Sequence, residues 1–281
     1  MSLTVFAIVI LAALLHASWN AMVKHGSDKF LSMSCVIFGH MLFGFAALLF
    51  VPLPDVASWP YVLFGAVLHT GYQLFLLYSY RIGDLTQVYP IARGVAPLII
   101  AFVSVMFLGV DLSSLQLLGV LIIGAGIMSL VMVRGSEGLG NSKAGLMALV
   151  TGCFIASYSL NDGLGARIAM SAVGFYAVLT IINGAMFFAF MAKINPTAIK
   201  GVLGKGRYVT LLGGGGSFLA YALVTWAFTQ APIAMVSALR ETSIVFALLI
   251  GVVFLKERVR LVKVFAVMMA MVGAVLMKVA R

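Results

Sequence analysis

Charged residues are scarce in this sequence: they occupy 9% of its 281 positions, whereas soluble domains carry about 25%. Hydrophobic residues make up 63% instead. A chain with so few polar groups cannot cover a water-exposed surface, so the composition excludes a soluble globular enzyme. Because about 20 helical residues cross a bilayer core of about 30 Å, ten spans would use about 200 residues and leave only short loops.

Cysteine is nearly absent as well. Cys35 and Cys153 lie in apolar segments without the CxxC or HxxxH spacing of a metal site, so we predict neither a disulfide framework nor a metal.

The run Gly213-Gly214-Gly215-Gly216 lacks the Lys-Ser/Thr of a phosphate loop, and no other motif indicates a cofactor or ATP. The net charge of +10 comes from scattered basic residues rather than from a patch, so we expect no nucleic-acid partner.

Apolar runs alternate with turn-rich or charged dividers along the whole chain. We predict that every run is an α-helix, because lipid-exposed backbone must satisfy its own hydrogen bonds and no run alternates with a period of two. The first run lacks a basic leader and is predicted to be retained as a span. The ten predicted spans are 3–23, 30–51, 60–80, 86–108, 113–133, 144–162, 171–191, 207–228, 233–254 and 261–279.

Basic residues are distributed unevenly between the two sides of this map. Only Arg167, Lys278 and Arg281 lie on the side of the even-numbered loops and the termini, against thirteen on the other side. By the positive-inside rule, the odd-numbered loops are predicted to be cytoplasmic and both termini to lie outside. The thirteen are Lys24, Lys29, Arg81, Arg134, Lys143, Lys193, Lys200, Lys205, Arg207, Lys256, Arg258, Arg260 and Lys263.

The sequence also repeats itself. A shift of 147 residues places Arg93 on Arg240 and Gly126 on Gly273, and a shift of 139 aligns the first span with the sixth. We therefore predict a first five-helix repeat at 1–135, a linker at 136–143 and a second repeat at 144–281. Because five is an odd number, the second copy enters the membrane inverted, which is the plan of many secondary transporters.

Several features together resemble one known family. The 5+5 repeat, the basic hairpin Leu255-Lys256-Glu257-Arg258 and the Gly/Ala-rich last helix of each half are similar to the EamA branch of the drug/metabolite transporter superfamily. The resemblance implies a basket of ten helices around a central cavity, in a multi-pass protein of the bacterial cytoplasmic membrane. Among its members, the chain resembles exporters of aromatic amino acids and threonine, and also members associated with phosphonate use.

Three charged residues lie well inside the predicted spans: Arg93, Arg240 and Glu241. Such residues usually face the bundle interior and carry function. Either Arg93 and Glu241 merely pair across the repeat interface, or one arginine binds substrate. Adjacent helical residues point about 100° apart, so we expect Glu241 to hold Arg93 and leave Arg240, with one surplus positive charge, for an acidic group. Pro90 and Pro97 predict that the fourth span is broken or kinked near Arg93.

Polar and aromatic residues recur at helical spacing on several spans, either as contacts between helices or as the lining of a cavity. The intramembrane histidines either donate to backbone carbonyls or take part in proton coupling, and His40 is the weakest candidate for coupling. We assign ion pairing or coupling to Glu241 and His16. The predicted substrate-binding residues are Arg93, Arg240, His69, Tyr72, Gln73, Tyr80, Trp19, Tyr158, Tyr221 and Trp226.

These observations predict a secondary transporter that moves small zwitterionic or anionic metabolites, amino acids foremost, by alternating access, with export favoured. The alternatives are a transporter of phosphonates or other organic anions, a lipid-handling membrane enzyme, and a membrane scaffold. An enzyme would need clustered catalytic groups, and Asp111 and Asp162 stand alone in the sequence. The expected partners are the substrate and the bilayer. A face of Ala266, Ala270 and Ala274 packs either within the chain or in a homodimer through the last helix.

Overall fold

A computed structural model of the protein describes residues 1–24, 28–82, 85–132, 142–253 and 261–279. Within those ranges the regular elements are all helical, which confirms the all-α prediction. A 3₁₀ turn, Val56–Ser58, precedes α3, and a π-helical turn, Val209–Gly214, runs directly into α9. The helices are α1 (Leu3–Lys24), α2 (Lys29–Ala47), α3 (Trp59–Ile82), α4 (Leu85–Met106), α5 (Ser114–Met132), α6 (Ser142–Ile168), α7 (Ala172–Ile194), α8 (Pro196–Gly201), α9 (Gly215–Gln230), α10 (Ile233–Arg240), α11 (Ser243–Val253) and α12 (Leu261–Val279).

The helices account for the ten predicted spans. Six segments are long and apolar enough to cross a membrane on length and composition alone, and three shorter apolar helices lie in α4, α5 and α12. The sixth span is α6, a helix of 27 residues that carries more polar side chains than the other spans. The π-helical turn with α9 forms the eighth span, and α10 with α11 forms the ninth. Short α8 lies between the seventh and eighth spans.

The packing of the helices follows the internal repeat. Helix α2 packs on α7, and α5 packs on α12, so the second and fifth spans contact their own counterparts. The contact of α3 with α6 is matched by that of α1 with α9, and the contact of α4 with α6 by that of α1 with α11. Exchanging the two halves therefore reproduces these contacts. This exchange symmetry is what an inverted five-helix repeat requires.

Small residues allow a close helix contact between α5 and α12. A Cβ on Gly119 would lie 2.8 Å from the carbonyl oxygen of Gly273, and a Cβ on Gly273 would lie 2.6 Å from that of Gly119. The face formed by Ala266, Ala270 and Ala274 is buried within the chain. A homodimer through the last helix would have to use its other, exposed face.

A second close approach joins α2 to the π-helical turn. A Cβ on Gly39 would lie 2.6 Å from the Cα of Gly214, and one on Gly214 would lie 2.7 Å from the Cα of Gly39. The two backbones are in direct contact because neither residue carries a side chain. The four-glycine run of the sequence thus serves close helix packing.

The interruption expected in the fourth span is found in the ninth instead. Helix α4 continues through Pro97 to Met106, whereas the ninth span stops at Arg240 and resumes at Ser243. At the break, the amides of Glu241 and Thr242 bond to carbonyls three residues earlier, at 3.0 Å each. The prediction of a break at the prolines was wrong because a helix can retain proline where neighbouring groups satisfy its backbone. No sequence signal marked the tight turn at Glu241.

The sixth span is longer than predicted. It was expected to end at Asp162, but α6 continues to Ile168 and Asp162 is fully buried inside it. Beyond it, Arg167 donates to the carbonyl oxygens of Phe228 at 2.9 Å and Ala231 at 3.0 Å, which satisfies the end of α9. The sequence prediction treated Asp162 as a helix boundary because it is charged. Its hydrogen bonds instead allow it to lie inside the helix.

Candidate substrate-binding site

Three charged side chains meet between the two halves of the molecule. Arg93 Nε donates to Glu241 Oε2 at 2.9 Å, which links α4 of the first half to the break between α10 and α11. Arg240 Nε lies 3.8 Å from Glu241 Oε1. All three residues are buried, at 6%, 4% and 3% exposure for Arg93, Arg240 and Glu241 respectively. Burial strengthens their mutual attraction and makes an unpaired member costly.

The position of Arg240 differs from the helical expectation. Adjacent residues on an α-helix point about 100° apart, which predicts that Arg240 faces away from Glu241. The helix ends there, however, and the tighter turn brings the two side chains toward each other. Arg240 Nε still has no hydrogen-bond partner among the described residues, and neither has Glu241 Oε1. The guanidinium also faces an aromatic ring: its Cζ lies 5.7 Å from the ring centroid of Tyr221.

Helix α1 brings two further polar atoms to this region. The rings of His16 and Trp19 stand edge to face, with centroids 5.2 Å apart. His16 Nε2 and Trp19 Nε1 are buried atoms, and the described part of the chain offers neither a hydrogen-bond partner. Helix α1 packs against α10 and α11, the two helices on either side of Glu241. Buried polar atoms without partners are uncommon in folded proteins, so their concentration here marks a candidate ligand site.

A second charged group lies beside the first, centred on Asp162 of α6. Asp162 Oδ2 accepts from the Tyr221 hydroxyl at 2.9 Å and lies 2.8 Å from His69 Nε2. Asn161 Nδ2 donates to Asp162 Oδ1 at 3.2 Å and to the carbonyl oxygen of Tyr61 at 2.8 Å. The carboxyl group is therefore held by α3, α6 and α9 together, which explains how it is accommodated at full burial.

Asp162 is the functional candidate that sequence reasoning missed. Its charge suggested a helix end, although the apolar and small residues at 163–166 continue the run. The missed signal was the combination of an intramembrane histidine with an acidic residue at the rim of another span. That combination identifies a pair only when the third and sixth spans are known to be neighbours.

Four tyrosine rings form a connected cluster with the His69 imidazole beside this carboxyl group. The His69 ring stacks on Tyr158 with centroids 4.2 Å apart, and Tyr221 meets His69 edge to face at 5.6 Å. Tyr72 lies 5.5 Å from Tyr158, and Tyr176 lies 4.9 Å from Tyr221. The rings come from α3, α6, α7 and α9. Electron-rich ring faces next to a carboxyl group form an environment that attracts cations.

Comparison with protein families supplies the identity of this architecture. The family model described as "EamA-like transporter family" matches residues 3–132 and again 142–279. The chain belongs to the EamA-like transporter family. The two matches cover both halves separately, as the internal repeat implies. Membership makes the protein a membrane transporter of small substrates rather than a lipid-handling enzyme.

The fold of this EamA-like transporter is also present among solved structures, of which 27 chains match. One crystal structure is 20% identical over 99% of both chains and superposes with a TM-score of 0.80. At this identity the likeness establishes the fold alone. No curated protein matches the chain in sequence. The comparisons therefore leave the substrate of the transporter to be argued from its side chains.

Gln73 has a partner outside the two charged groups. Its side-chain amide exchanges hydrogen bonds with that of Asn183, at 3.0 and 3.1 Å, and Asn183 also donates to Thr70 Oγ1 at 2.9 Å. This buried amide pair joins α3 to α7. The assignment of Gln73 to substrate binding stays a prediction, with helix association as the alternative role.

The remaining predicted residues are more distant from these groups or not described. Trp226 is half-buried and packs against the main apolar cluster. The side chain of Tyr80 and the hairpin Leu255-Lys256-Glu257-Arg258 lie outside the described residues. His40 stands beside the Tyr176 ring, with centroids 6.3 Å apart, and its Nε2 has no hydrogen-bond partner within the described ranges.

Proposed function

We propose that this transporter carries amino acids across the bacterial cytoplasmic membrane by alternating access. The observation that carries the proposal is the double contact of Tyr221. Its hydroxyl binds the carboxyl group of Asp162, and its ring faces the guanidinium of Arg240. One residue thus connects a region suited to a cation with a region suited to an anion. A zwitterion carries both charges within a few bonds of each other, so it can occupy both regions at once.

The anionic end of the substrate is assigned to Arg240. Its Nε makes no hydrogen bond in the described part of the chain, and a guanidinium binds a carboxylate through two parallel hydrogen bonds. The unpartnered atoms of His16 and Trp19 support this position. Arg93, by contrast, is engaged with Glu241 at 2.9 Å. We therefore assign Arg93 to holding the site together.

The cationic end is assigned to the rings around His69 and Asp162. The ammonium group of an amino acid is attracted by the tyrosine faces and by the carboxyl charge behind them. Asp162 also changes the charge count made from sequence. Arg93 and Arg240 together balance Glu241 and Asp162 when His69 is neutral, so the surplus positive charge disappears. A balanced site favours a zwitterion over a phosphonate or another organic anion.

Counterflow in proteoliposomes tests this proposal. Liposomes that contain the purified protein are loaded with unlabelled phenylalanine or threonine, and uptake of the same labelled amino acid is measured. We expect exchange with amino acids, and much weaker exchange with 3-phenylpropionate and phenylphosphonate, which lack the ammonium group. Exchange of the organic anions without exchange of any amino acid would overturn the proposal.

We further propose that the odd-numbered loops face the cytoplasm and that export is the working direction. The orientation rests on the basic residues of the sequence, and the direction rests on the family resemblance. Single cysteines in place of Asp55 and Lys200, both exposed, test the orientation. Native Cys153 is exposed, so the background must carry Cys35→Ala and Cys153→Ser. An impermeant maleimide should label position 55 and not position 200 in intact cells, and the reverse would contradict the orientation.

A further inference from the structure

We propose that the His69–Asp162 pair is the proton site of this transporter, and that its proton and the ammonium group of the substrate exclude each other. The inference rests on the proposed function, because it assigns the cationic end of the amino acid to the same region. It makes the protein an amino acid/proton antiporter. An inward proton gradient would then drive export without any nucleotide.

The pair joins the two halves of the molecule. His69 lies on α3 of the first half and Asp162 on α6 of the second, and their side chains are 2.8 Å apart. Alternating access works by moving one repeat against the other. A group shared by both repeats therefore lies where the inward-facing and outward-facing states differ. A proton bound at this position can be taken up on one side of the membrane and released on the other.

The chemistry of the pair suits a carrier of one proton. Histidine is the side chain whose charge ordinarily changes near neutral pH. The hydroxyl of Tyr221 and the amide of Asn161 occupy other positions on the carboxyl group. Asp162 thus keeps hydrogen-bond donors whether His69 is neutral or protonated. The titration changes the charge without leaving the carboxyl group unsatisfied.

The sign of the coupling follows from counting charges. With His69 neutral, the pair carries one negative charge and attracts an ammonium group across the surrounding tyrosine rings. With His69 protonated, the pair is neutral and the attraction is lost. A cation beside the pair disfavours protonation for the same reason. Because linkage is reciprocal, the proton weakens ammonium binding by the same factor as the ammonium group weakens proton binding.

Other titratable groups around the pair do not duplicate this role. Glu241 and the two arginines already form their own cluster, and the tyrosines ordinarily titrate near pH 10. Arg167, further along α6, is bound to backbone carbonyls. The other described titratable or charged groups near the pair come from the elements packed around α3 and α6. They are His40 from α2, Arg93 from α4, Tyr158 from α6, Tyr176 from α7, Tyr221 from α9, Arg240 and Glu241 from the end of α10, and Asp55, which precedes the 3₁₀ turn.

Tyr221 connects the proton site to the anionic end of the substrate. It donates to Asp162 Oδ2, the oxygen that also contacts His69. Its ring faces Arg240 at 5.7 Å. A substrate that lacks the ammonium group should therefore respond to the proton with the opposite sign, because protonation of the pair adds positive charge near its carboxylate.

Binding measurements between pH 5 and pH 8 test the sign directly. The probes are phenylalanine, phenethylamine, which lacks the carboxylate, and 3-phenylpropionate, which lacks the ammonium group. From pH 8 to pH 5, affinity for phenylalanine and phenethylamine should fall at least about fivefold, a coupling of ordinary size, whereas affinity for 3-phenylpropionate should rise. Equal pH responses of the amine and the acid would overturn the proposal.

Two variants separate titration of the pair from a structural role. Asp162→Asn removes the carboxylate charge, so phenethylamine binding should be weak at both ends of the pH range. His69→Gln removes the titration but keeps Asp162 charged, so binding should be independent of pH and tight. Asp111→Asn, at an exposed loop position, is the matched control and should retain the pH response. A pH response that survives in both pair variants would contradict the assignment.

Proton flux provides the final readout. In proteoliposomes with an internal pH dye, an imposed amino acid gradient should move protons in the opposite direction with the unsubstituted protein and not with His69→Gln. Counterflow of phenylalanine needs no net proton movement and should persist in His69→Gln. If phenylalanine exchanges but no proton flux accompanies net transport, the proton site is refuted and the proposed function stands. If no amino acid exchanges at all, the proposed function fails, and the inference with it.

Discussion

Arg93 and Arg240 occupy equivalent positions in the two halves, 147 residues apart, yet their surroundings differ. Arg93 lies within the continuous helix α4, whereas Arg240 is the last residue of α10. Arg93 donates to Glu241 at 2.9 Å, while Arg240 Nε stays 3.8 Å from the same carboxylate. The position that follows Arg93 is Gly94, and the one that follows Arg240 is Glu241.

This difference shows how a repeated sequence acquires an asymmetric site. One acidic residue, present in only one repeat, binds the arginine of the other repeat across the interface. The helix break beside that acidic residue then sets the position of the second arginine. Of the two equivalent arginines, Arg93 therefore has a structural role and Arg240 is available to a ligand.

The largest effect is expected from Glu241→Gln. The substitution leaves two buried guanidinium groups without their shared carboxylate, and loss of one partner of a buried pair costs about 3–5 kcal/mol. Thermal unfolding in detergent should show a strong decrease in stability. The control is Asp111→Asn, an acid-to-amide change at an exposed loop position, which should have little effect. A stable Glu241→Gln protein would show that the carboxylate does not hold the arginines.

The next prediction distinguishes the two arginines. Arg240→Gln should leave the thermal stability nearly unchanged but weaken phenylalanine binding by about 2–5 kcal/mol, as expected when one partner of a buried charged contact is lost. Arg93→Gln should instead lower the stability, because it leaves Glu241 without its 2.9 Å donor. Binding of phenethylamine, which has no carboxylate, should be insensitive to Arg240→Gln. If the two substitutions exchange these effects, Arg93 is the substrate residue.

A smaller loss is expected from Arg240→Lys. The ammonium group preserves the charge but not the planar pair of donors, so one hydrogen bond to the substrate carboxylate is lost. The expected loss of phenylalanine affinity is about 1.5–3 kcal/mol, the contribution of one hydrogen bond to a charged group. Affinity should therefore lie between those of the unsubstituted protein and Arg240→Gln. Full recovery with lysine would indicate that only the charge matters.

The smallest effect is expected from Gly94→Ala, at the position equivalent to Glu241. A Cβ there would lie 3.0 Å from Cγ and Sδ of Met128, a flexible side chain that can move slightly. Alanine also favours the helix over glycine by about 1 kcal/mol. Stability and phenylalanine exchange should both change little, with a net effect within about 1 kcal/mol. A large loss of transport would mean that this position contributes to the site despite lacking a side chain.

Much of the fold was predictable from sequence because hydropathy is a local property. Each apolar run identifies its own span, and the alignment of Arg93 with Arg240 shows the repeat without any knowledge of packing. The end of a span is harder to predict where a polar residue interrupts the apolar run, because its partner on another helix is not visible in the sequence. The sixth span was predicted to end at Asp162 for this reason, and a break was expected between Pro90 and Pro97 rather than at Glu241.

The sequence by itself determined the class of protein: ten apolar helices in an inverted repeat, with three charges committed to the interior. Only the tertiary structure decided which charges meet. His69 and Asp162 are 93 residues apart in sequence, and Arg93 and Glu241 are 148 apart. Whether a buried charge is tolerated depends on a partner supplied by another helix, and that partner is fixed by packing, not by the residue's own neighbours in the chain.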